Sequence, residues 1–292
     1  MKILVTGSNG QLGNELRSLV QDYPGNTFIF TDIEELDITR ADKVNDFFKL
    51  NHPDVLINCA AYTAVDKAEK ETDMAMLINA KATGILANAC NLYGTVLFHI
   101  STDYVFDGKG FIPYTEEDKP DPVSVYAKSK YFGELEIMQL AGRAVIIRTS
   151  WLYSEFGNNF VKTILKYGRE RGILNVIYDQ IGAPTYAKDL ARVILGSLSY
   201  VNTINGVELF HFANEGVTSW FDFAKAIVEM AGIDCRINAI ETKDYPLPAV
   251  RPNYSVFNKS RIKQRFDLEI PYWRDSLREC LKRISSSSAD KE

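Results

Sequence analysis

Lys2-Ile3-Leu4-Val5-Thr6-Gly7-Ser8-Asn9-Gly10-Gln11-Leu12-Gly13 decides the fold: a short apolar run enters three glycines spaced by three, and the helical pattern of Gln11–Gln21 follows. Glycines in that setting let the chain turn sharply at a strand end. They also let backbone N–H groups approach a pyrophosphate at the positive end of the next helix. The spacing is GxxGxxG rather than GxGxxG, so the match to a dinucleotide-binding turn lies in the strand–turn–helix context and not in the letters. A tight turn without a ligand is the plainer alternative.

Outward from this turn the pattern repeats. Thr27–Thr31, Asp54–Asn58, Thr95–Ile100 and Ala144–Arg148 read as further strands with near-continuous apolar residues. Arg40–Leu50, Thr72–Tyr93 and Val125–Leu140 read as the helices between them. Continuous rather than alternating hydrophobicity indicates strands covered on both faces, so the expectation is an α/β fold with a doubly wound parallel sheet. The second half is less regular: helices over Asn158–Arg171, Ala187–Val201, Ser219–Met230 and Trp273–Ile284, with strands at Leu174–Tyr178 and Val207–Phe212. The expected organisation is a nucleotide-binding domain over 1–150 and a smaller α/β substrate domain over 151–284, some of whose segments return to the first sheet. A flexible polar tail over 285–292 completes it.

The chain has 292 residues and a formal net charge of −5. An acidic balance argues against nucleic acid as the partner. Cys59, Cys90, Cys235 and Cys280 form no CxxC pair, which fits reduced thiols and a cytoplasmic location. The apolar run after Met1-Lys2 is too short for a signal peptide, and no stretch is long enough to span a membrane. Gly13 is followed by Asn14, so there is no P-loop, and HExxH and GxSxG are absent. His52, His99 and His211 are too scattered for a metal site, and His99, inside a strand pattern, reads as packed.

Two further places carry chemistry. Asp32 ends the second strand, where a carboxylate can accept from adenosine ribose hydroxyls and repel a 2′-phosphate; capping the next turn is its plainer role. Thr102 ends the fourth strand, where ligands sit in open α/β sheets, and a helix then opens with Tyr126-Ala127-Lys128-Ser129-Lys130. Tyr126 and Lys130, four apart, share a helix face. An ammonium beside a phenol lowers the tyrosine pKa and makes Tyr126 a usable general acid or base. Alone, YxxxK is a common surface pattern. In order after a glycine turn, an acid and a Ser/Thr-rich strand end, it forms a constellation.

Those residues, with Tyr62-Thr63-Ala64-Val65-Asp66-Lys67-Ala68-Glu69, Ser101-Thr102-Asp103-Tyr104-Val105-Phe106-Asp107-Gly108, Arg148–Tyr153, Asp179–Thr185 and Arg251-Pro252, carry a resemblance. The chain resembles the extended short-chain dehydrogenase/reductases, and within them the dTDP-4-dehydrorhamnose reductase family, over nearly its whole length. The resemblance implies a Rossmann-like fold and a reductase that adds hydride from NADH or NADPH, with dual use expected, to C4 of a nucleotide-linked keto-sugar. It implies Tyr126, Lys130 and Thr102 as catalytic residues. Gly7, Asn9, Gly10, Gln11, Leu12, Gly13, Asp32, Asp37, Ile38, Ala60, Ala61 and Tyr62, with Tyr126 and Lys130, would line the cofactor. Thr102, Asp103, Tyr126, Trp151, Gln180, Ala183 and Arg251 would meet the nucleotide sugar, Arg251 gripping its diphosphate. Some relatives bind Mg2+ through glutamates; Glu15 could serve, but no convincing glutamate set accompanies it, so no metal is expected. Monomer and homodimer both stay open. Two other readings also stay open. One is a non-catalytic binding subunit resembling the regulatory subunit of methionine adenosyltransferase. The other is a 4-epimerase or 4,6-dehydratase, although Thr102 is followed by Asp103-Tyr104 rather than Asp-Glu.

Overall fold

A computed structural model describes residues 1–289. The chain runs β1 (Lys2–Thr6), α1 (Gln11–Ser18), β2 (Thr27–Thr31), α2 (Ala41–Asn51), β3 (Val55–Asn58), α3 (Val65–Ala68), α4 (Thr72–Met76), α5 (Ala82–Tyr93), β4 (Val96–Thr102), α6 (Val125–Leu140) and β5 (Arg143–Thr149). It continues with β6 (Leu152–Tyr153), α7 (Phe160–Arg171), β7 (Ile173–Ile177), β8 (Ile181–Gly182), β9 (Thr185–Tyr186), α8 (Ala187–Ser197), β10 (Gly206–Phe212), β11 (Thr218–Ser219), α9 (Trp220–Met230), β12 (Arg236–Ile240), α10 (Ser260–Phe266) and α11 (Trp273–Ala289).

Six strands form one parallel sheet in the order β2-β1-β3-β4-β5-β10. The reason is visible within β1. Ile3 and Val5 pack with α1 and α8 residues such as Leu16 and Ile194. Leu4, pointing the other way, packs with Phe48 of α2 and Leu86 of α5. Successive strand residues face opposite sides, so coverage on both sides demands an apolar residue at each position. The chain passes from β2 on one side of β1 to β3 on the other. This switch opens a crevice at the carboxyl ends of the strands. A second cluster gathers α7, α9 and α11 around Tyr153, Phe223, Ile227, Trp273 and Leu277, beside the parallel pair β7–β12. Among the described residues no helix is long and apolar enough to cross a membrane.

Two elements differ from the sequence expectation. The helix expected over Thr72–Tyr93 is interrupted by a π turn at Leu77–Lys81. There the buried Asn79 side chain accepts from Tyr62 N (2.8 Å) and donates to Tyr62 O (3.0 Å) and Ser129 Oγ (2.9 Å). The bulge is where the helix spends its extra residue on tertiary contacts. The expected flexible tail begins as helix instead. α11 continues through Ala289, and the Ser285 and Ser286 hydroxyls donate back to the carbonyls of Leu281 and Lys282. The rest of that tail, 290–292, lies outside the described residues.

Candidate active site

At the carboxyl ends of β1, β4 and β5 lies a cleft of about 860 Å3. The glycine turn forms one wall. Gly7 has a left-handed backbone (φ 65°), and a Cβ there would fall 2.5 Å from Ala60 N; one on Gly13 would fall 2.5 Å from Ser8 Cα. The first lets the turn pass β3 and the second lets α1 seat on it. Gly10 is the N-cap of α1 and supplies no side-chain cap, which leaves first-turn N–H groups for an anion. Ser101 Oγ, also in the wall, is buried without a hydrogen-bond partner among the described residues. An uncapped helix end and an orphaned hydroxyl in one cleft fit a dinucleotide.

The chemical wall is built by β4 and α6. Ser124 caps α6 by accepting from Ala127 N (3.2 Å), and Val125 N donates to Glu69 (2.9 Å). This fixes the first turn, so that Tyr126 and Lys130 both face the cleft. The Tyr126 phenol shares the cleft wall with Thr102, and its ring stands edge-on to Tyr104 at 5.7 Å. Lys130 Nζ donates to the Ile100 carbonyl at 2.6 Å. Below them Arg148 forms a two-point fork with Glu134, Nε–Oε1 2.9 Å and Nη2–Oε2 2.6 Å, with both side chains fully buried. The fork ties α6 to β5. On its other side, Gly133 lets α6 approach Asn79 O so closely that a Cβ would fall 2.2 Å away.

The electrostatics correct one expectation. The Tyr126 phenol is not drawn toward neutral pH; burial pushes it up to about 12, against a smaller lowering by Thr102. Burial likewise lowers Lys130 itself to about 8, against the Glu134 and Cys59 charges. The result at neutral pH is a protonated phenol in the wall that Thr102 shares. Asp103, behind Thr102, is raised to about 7 because burial outweighs its hydrogen bonds from Ser255 and Thr102.

The cleft gathers Gly7, Gly10–Gly13, Ala61, Thr102, Asp103, Tyr126, Lys130, Trp151 and Arg251. Trp151 has a left-handed backbone (φ 47°), rare for a bulky residue and costly by about 1–3 kcal/mol. It is held by face-to-face stacking on Trp220 at 3.6 Å and by Gly182, where a Cβ would meet the indole at 2.8 Å. Arg251 is already engaged by a fork to Asp66 (2.8 and 3.1 Å). It stands between the cleft and a second cavity of about 690 Å3 that also holds Gln180, Tyr167 and Tyr245.

Other expected residues lie off the cleft wall. Asp32 Oδ2 accepts from Asn9 N at 2.9 Å and so braces the glycine turn from β2. Asp37 accepts from Thr39, while Ile38 packs in the core. Ala60 packs with that core too, and Tyr62 turns its hydroxyl to Glu71 at 2.5 Å. Ala183 is buried among Val105, Phe106 and Phe257. Sequence reasoning passed over Asp66, Ser101, Tyr104, Asn159, Phe160 and Trp220, all in the wall. Trp220 alone carried a local signal, as a large aromatic at the first position of a Ser219-capped helix.

Glu15 is buried in a different network. Its carboxyl accepts from Ser154 Oγ at 2.6 Å and lies near Glu155, which is itself paired with Arg283 and Tyr186. Burial, reinforced by Glu155, pushes Glu15 up to about 8. A folded-state pKa above the unfolded value gives stability that is present in acid and lost as pH rises through about 8. The melting temperature should therefore fall between pH 6 and pH 9, and Glu15→Gln, which needs no proton, should flatten that fall. Parallel wild-type and variant curves in thermal melts would refute the assignment.

The family described as RmlD substrate binding domain matches residues 1–286. The dTDP-4-dehydrorhamnose reductase of Aggregatibacter actinomycetemcomitans is 40% identical over 285 residues, 95% of this chain and 97% of that one. A crystal structure of a dTDP-4-dehydrorhamnose reductase from Clostridium acetobutylicum is 42% identical, covers 98% of this chain and 100% of its own, and superposes with a TM-score of 0.93. One from Bacillus anthracis, in complex with NADP, is 38% identical, covers 97% and 99%, and superposes at 0.92. With a matched length that includes both walls of the cleft, the chain belongs to the RmlD family of dTDP-4-dehydrorhamnose reductases.

Proposed function

We propose that this chain is an NAD(P)H-dependent dTDP-4-dehydrorhamnose reductase, converting dTDP-4-dehydro-L-rhamnose to dTDP-L-rhamnose. The observation that carries the reading is that Tyr126, Lys130 and Thr102 line the same cleft as the glycine turn. The reduced nicotinamide supplies the hydride to C4 when bound. Tyr126 gives its proton to the C4 oxygen, and the Thr102 hydroxyl donates to that oxygen as charge develops. Gly7, Asn9, Gly10, Gln11, Leu12, Gly13 and Ala61 hold the dinucleotide on the glycine wall. The stacked Trp151–Trp220 pair excludes water on the sugar side. Arg251, between the cleft and the second cavity, meets the substrate diphosphate, with Asp66 holding the guanidinium in place.

The test follows NADH and NADPH oxidation separately with freshly made dTDP-4-dehydro-L-rhamnose. Sugar-dependent oxidation giving dTDP-L-rhamnose supports the reading. No oxidation, with cofactor still bound, would favour the non-catalytic subunit. Asp32 is the proposed ribose reader. Asp32→Ala should weaken NADH binding by roughly tenfold or more, the scale of a hydrogen bond to a charged group, and NADPH binding by less. Equal weakening in fluorescence titrations would leave Asp32 as a brace for the turn alone.

A further inference from the structure

Residues 154–159, between β6 and α7, lie along one face of α1. Ser154 Oγ donates to Glu15 Oε1 at 2.6 Å, and one turn earlier on α1 the Asn159 Nδ2 donates to Gln11 Oε1 at 2.9 Å. Gly157 has a left-handed backbone (φ 63°) and lets the loop pass so close that a Cβ there would fall 3.1 Å from Gln11 Cγ. Lys162 Nζ holds the loop from α7 by donating to the carbonyls of Glu155 (2.9 Å) and Gly157 (2.8 Å). The rest of the loop fixes the sense of the Asn159–Gln11 bond. Lys162 N can only donate, and it donates to Asn159 Oδ1 at 3.1 Å, capping α7. The Ser154 carbonyl can only accept, and it takes Asn159 Nδ2 at 2.7 Å. Asn159 therefore presents an N–H to Gln11. An amide nitrogen has no lone pair to accept with, so the Gln11 atom facing it is the oxygen.

We propose that Asn159 is a positioning residue for the cofactor, which holds the Gln11 side-chain oxygen so that Gln11 meets the dinucleotide phosphates through its N–H2. Gln11 and Asn159 both line the cleft. Gln11 also opens α1, whose first-turn N–H groups are left for an anion. With the oxygen taken, two N–H donors are what the amide has to offer a ligand. An amide free to rotate would present its oxygen as readily, and an oxygen lone pair repels a phosphate. Given the reductase reading, on which this rests, a loop from the second half of the chain sets how the first half holds its cofactor. The two amides stand 148 positions apart in sequence.

Side-chain amide NMR of the full chain without ligand tests the geometry, each amide assigned through its own backbone. The Asn159 N–H2 protons, bonded to Ser154 O and Gln11 Oε1, should exchange with water roughly tenfold more slowly than those of Gln11. The reverse order would overturn the proposal. Fluorescence titration with NADPH tests the consequence. In Asn159→Asp the carboxylate still caps α7 through Lys162 N but offers Gln11 only an acceptor. Gln11 then turns its N–H2 to the loop and its oxygen to the phosphates. NADPH should bind roughly tenfold or more weakly, the scale of one hydrogen bond to a charged group, with dTDP affinity within about twofold of wild type. The new negative charge acts as well. In a Gln11→Ala background it acts alone, and there Asn159→Asp should weaken binding by no more than about threefold. Equal factors in the two backgrounds, or an equal loss of dTDP affinity, would overturn the proposal. If Asn159→Asp fails to fold, the wild-type spectrum still decides. Wild-type protein that binds neither NADH nor NADPH defeats the reductase reading and this proposal with it. Normal wild-type binding that Asn159→Asp leaves unchanged defeats this proposal alone.

Discussion

Tyr126→Phe lowers kcat by at least about 100-fold while leaving cofactor affinity within about twofold, the scale expected when a general acid is removed without disturbing its surroundings. The phenylalanine ring keeps the edge-on contact with Tyr104 at 5.7 Å, so packing survives. What is lost is the hydroxyl in the cleft that Thr102 also lines. Since burial holds the phenol up to about 12, the wild-type donor is fully protonated at neutral pH, and the loss should be the same at pH 6 and pH 8. Steady-state turnover of dTDP-4-dehydro-L-rhamnose at both pH values, with a fluorescence titration of NADPH, measures each part. Near-normal turnover would remove Tyr126 from the mechanism.

The second large effect is on stability and lies about two turns further along the same helix. Glu134→Ala should destabilise the protein by about 3–5 kcal/mol, because it leaves the Arg148 guanidinium buried and unpaired. Arg148 retains only the edge of His211 at 3.5 Å and the face of Phe106 at 5.2 Å, neither of which offers a counter-charge. The double replacement Arg148→Met with Glu134→Leu fills the space without charge and should recover most of the loss. Urea unfolding of the three proteins checks this. A single variant within about 1 kcal/mol of wild type would mean that the site relaxes to admit water. The fork also ties the helix of Tyr126 and Lys130 to β5, so Glu134→Ala should lower kcat in the fraction that remains folded.

The sheet was legible because its strands are apolar at successive positions, as both-face coverage requires; Ile3 and Val5 serve one face and Leu4 the other. The residues proposed to react were legible because Thr102, Tyr126 and Lys130 sit at a strand end and on one helix face, both local properties. What could not be read are pairings set by the chain's return. Asp66 meets Arg251 across 185 positions, and Trp220 reaches Trp151 only because α9 docks beside the cleft. The π turn was hidden for a related reason: its cause is Tyr62 and Ser129, neither of which neighbours Asn79 in sequence. The upward shift of the Tyr126 phenol could not be read from residue spacing, which carries no information on burial.

The pairing of β10 with β5 also bears on how the chain emerges during synthesis. A nascent chain that has left the ribosome only as far as β5 lacks both the sheet's last strand and α8, whose Leu190, Ile194 and Leu195 pack in the same cluster as Leu12 and Leu16 of α1. Until residue 212 is out, one face of the sheet and the free edge of β5 stand uncovered, the surfaces on which neighbouring chains associate. The glycine turn is among the first segments made, yet the packing of the helix that follows it is finished only by residues translated some 180 positions later. Completion of the nucleotide wall is therefore timed by the second half of the message.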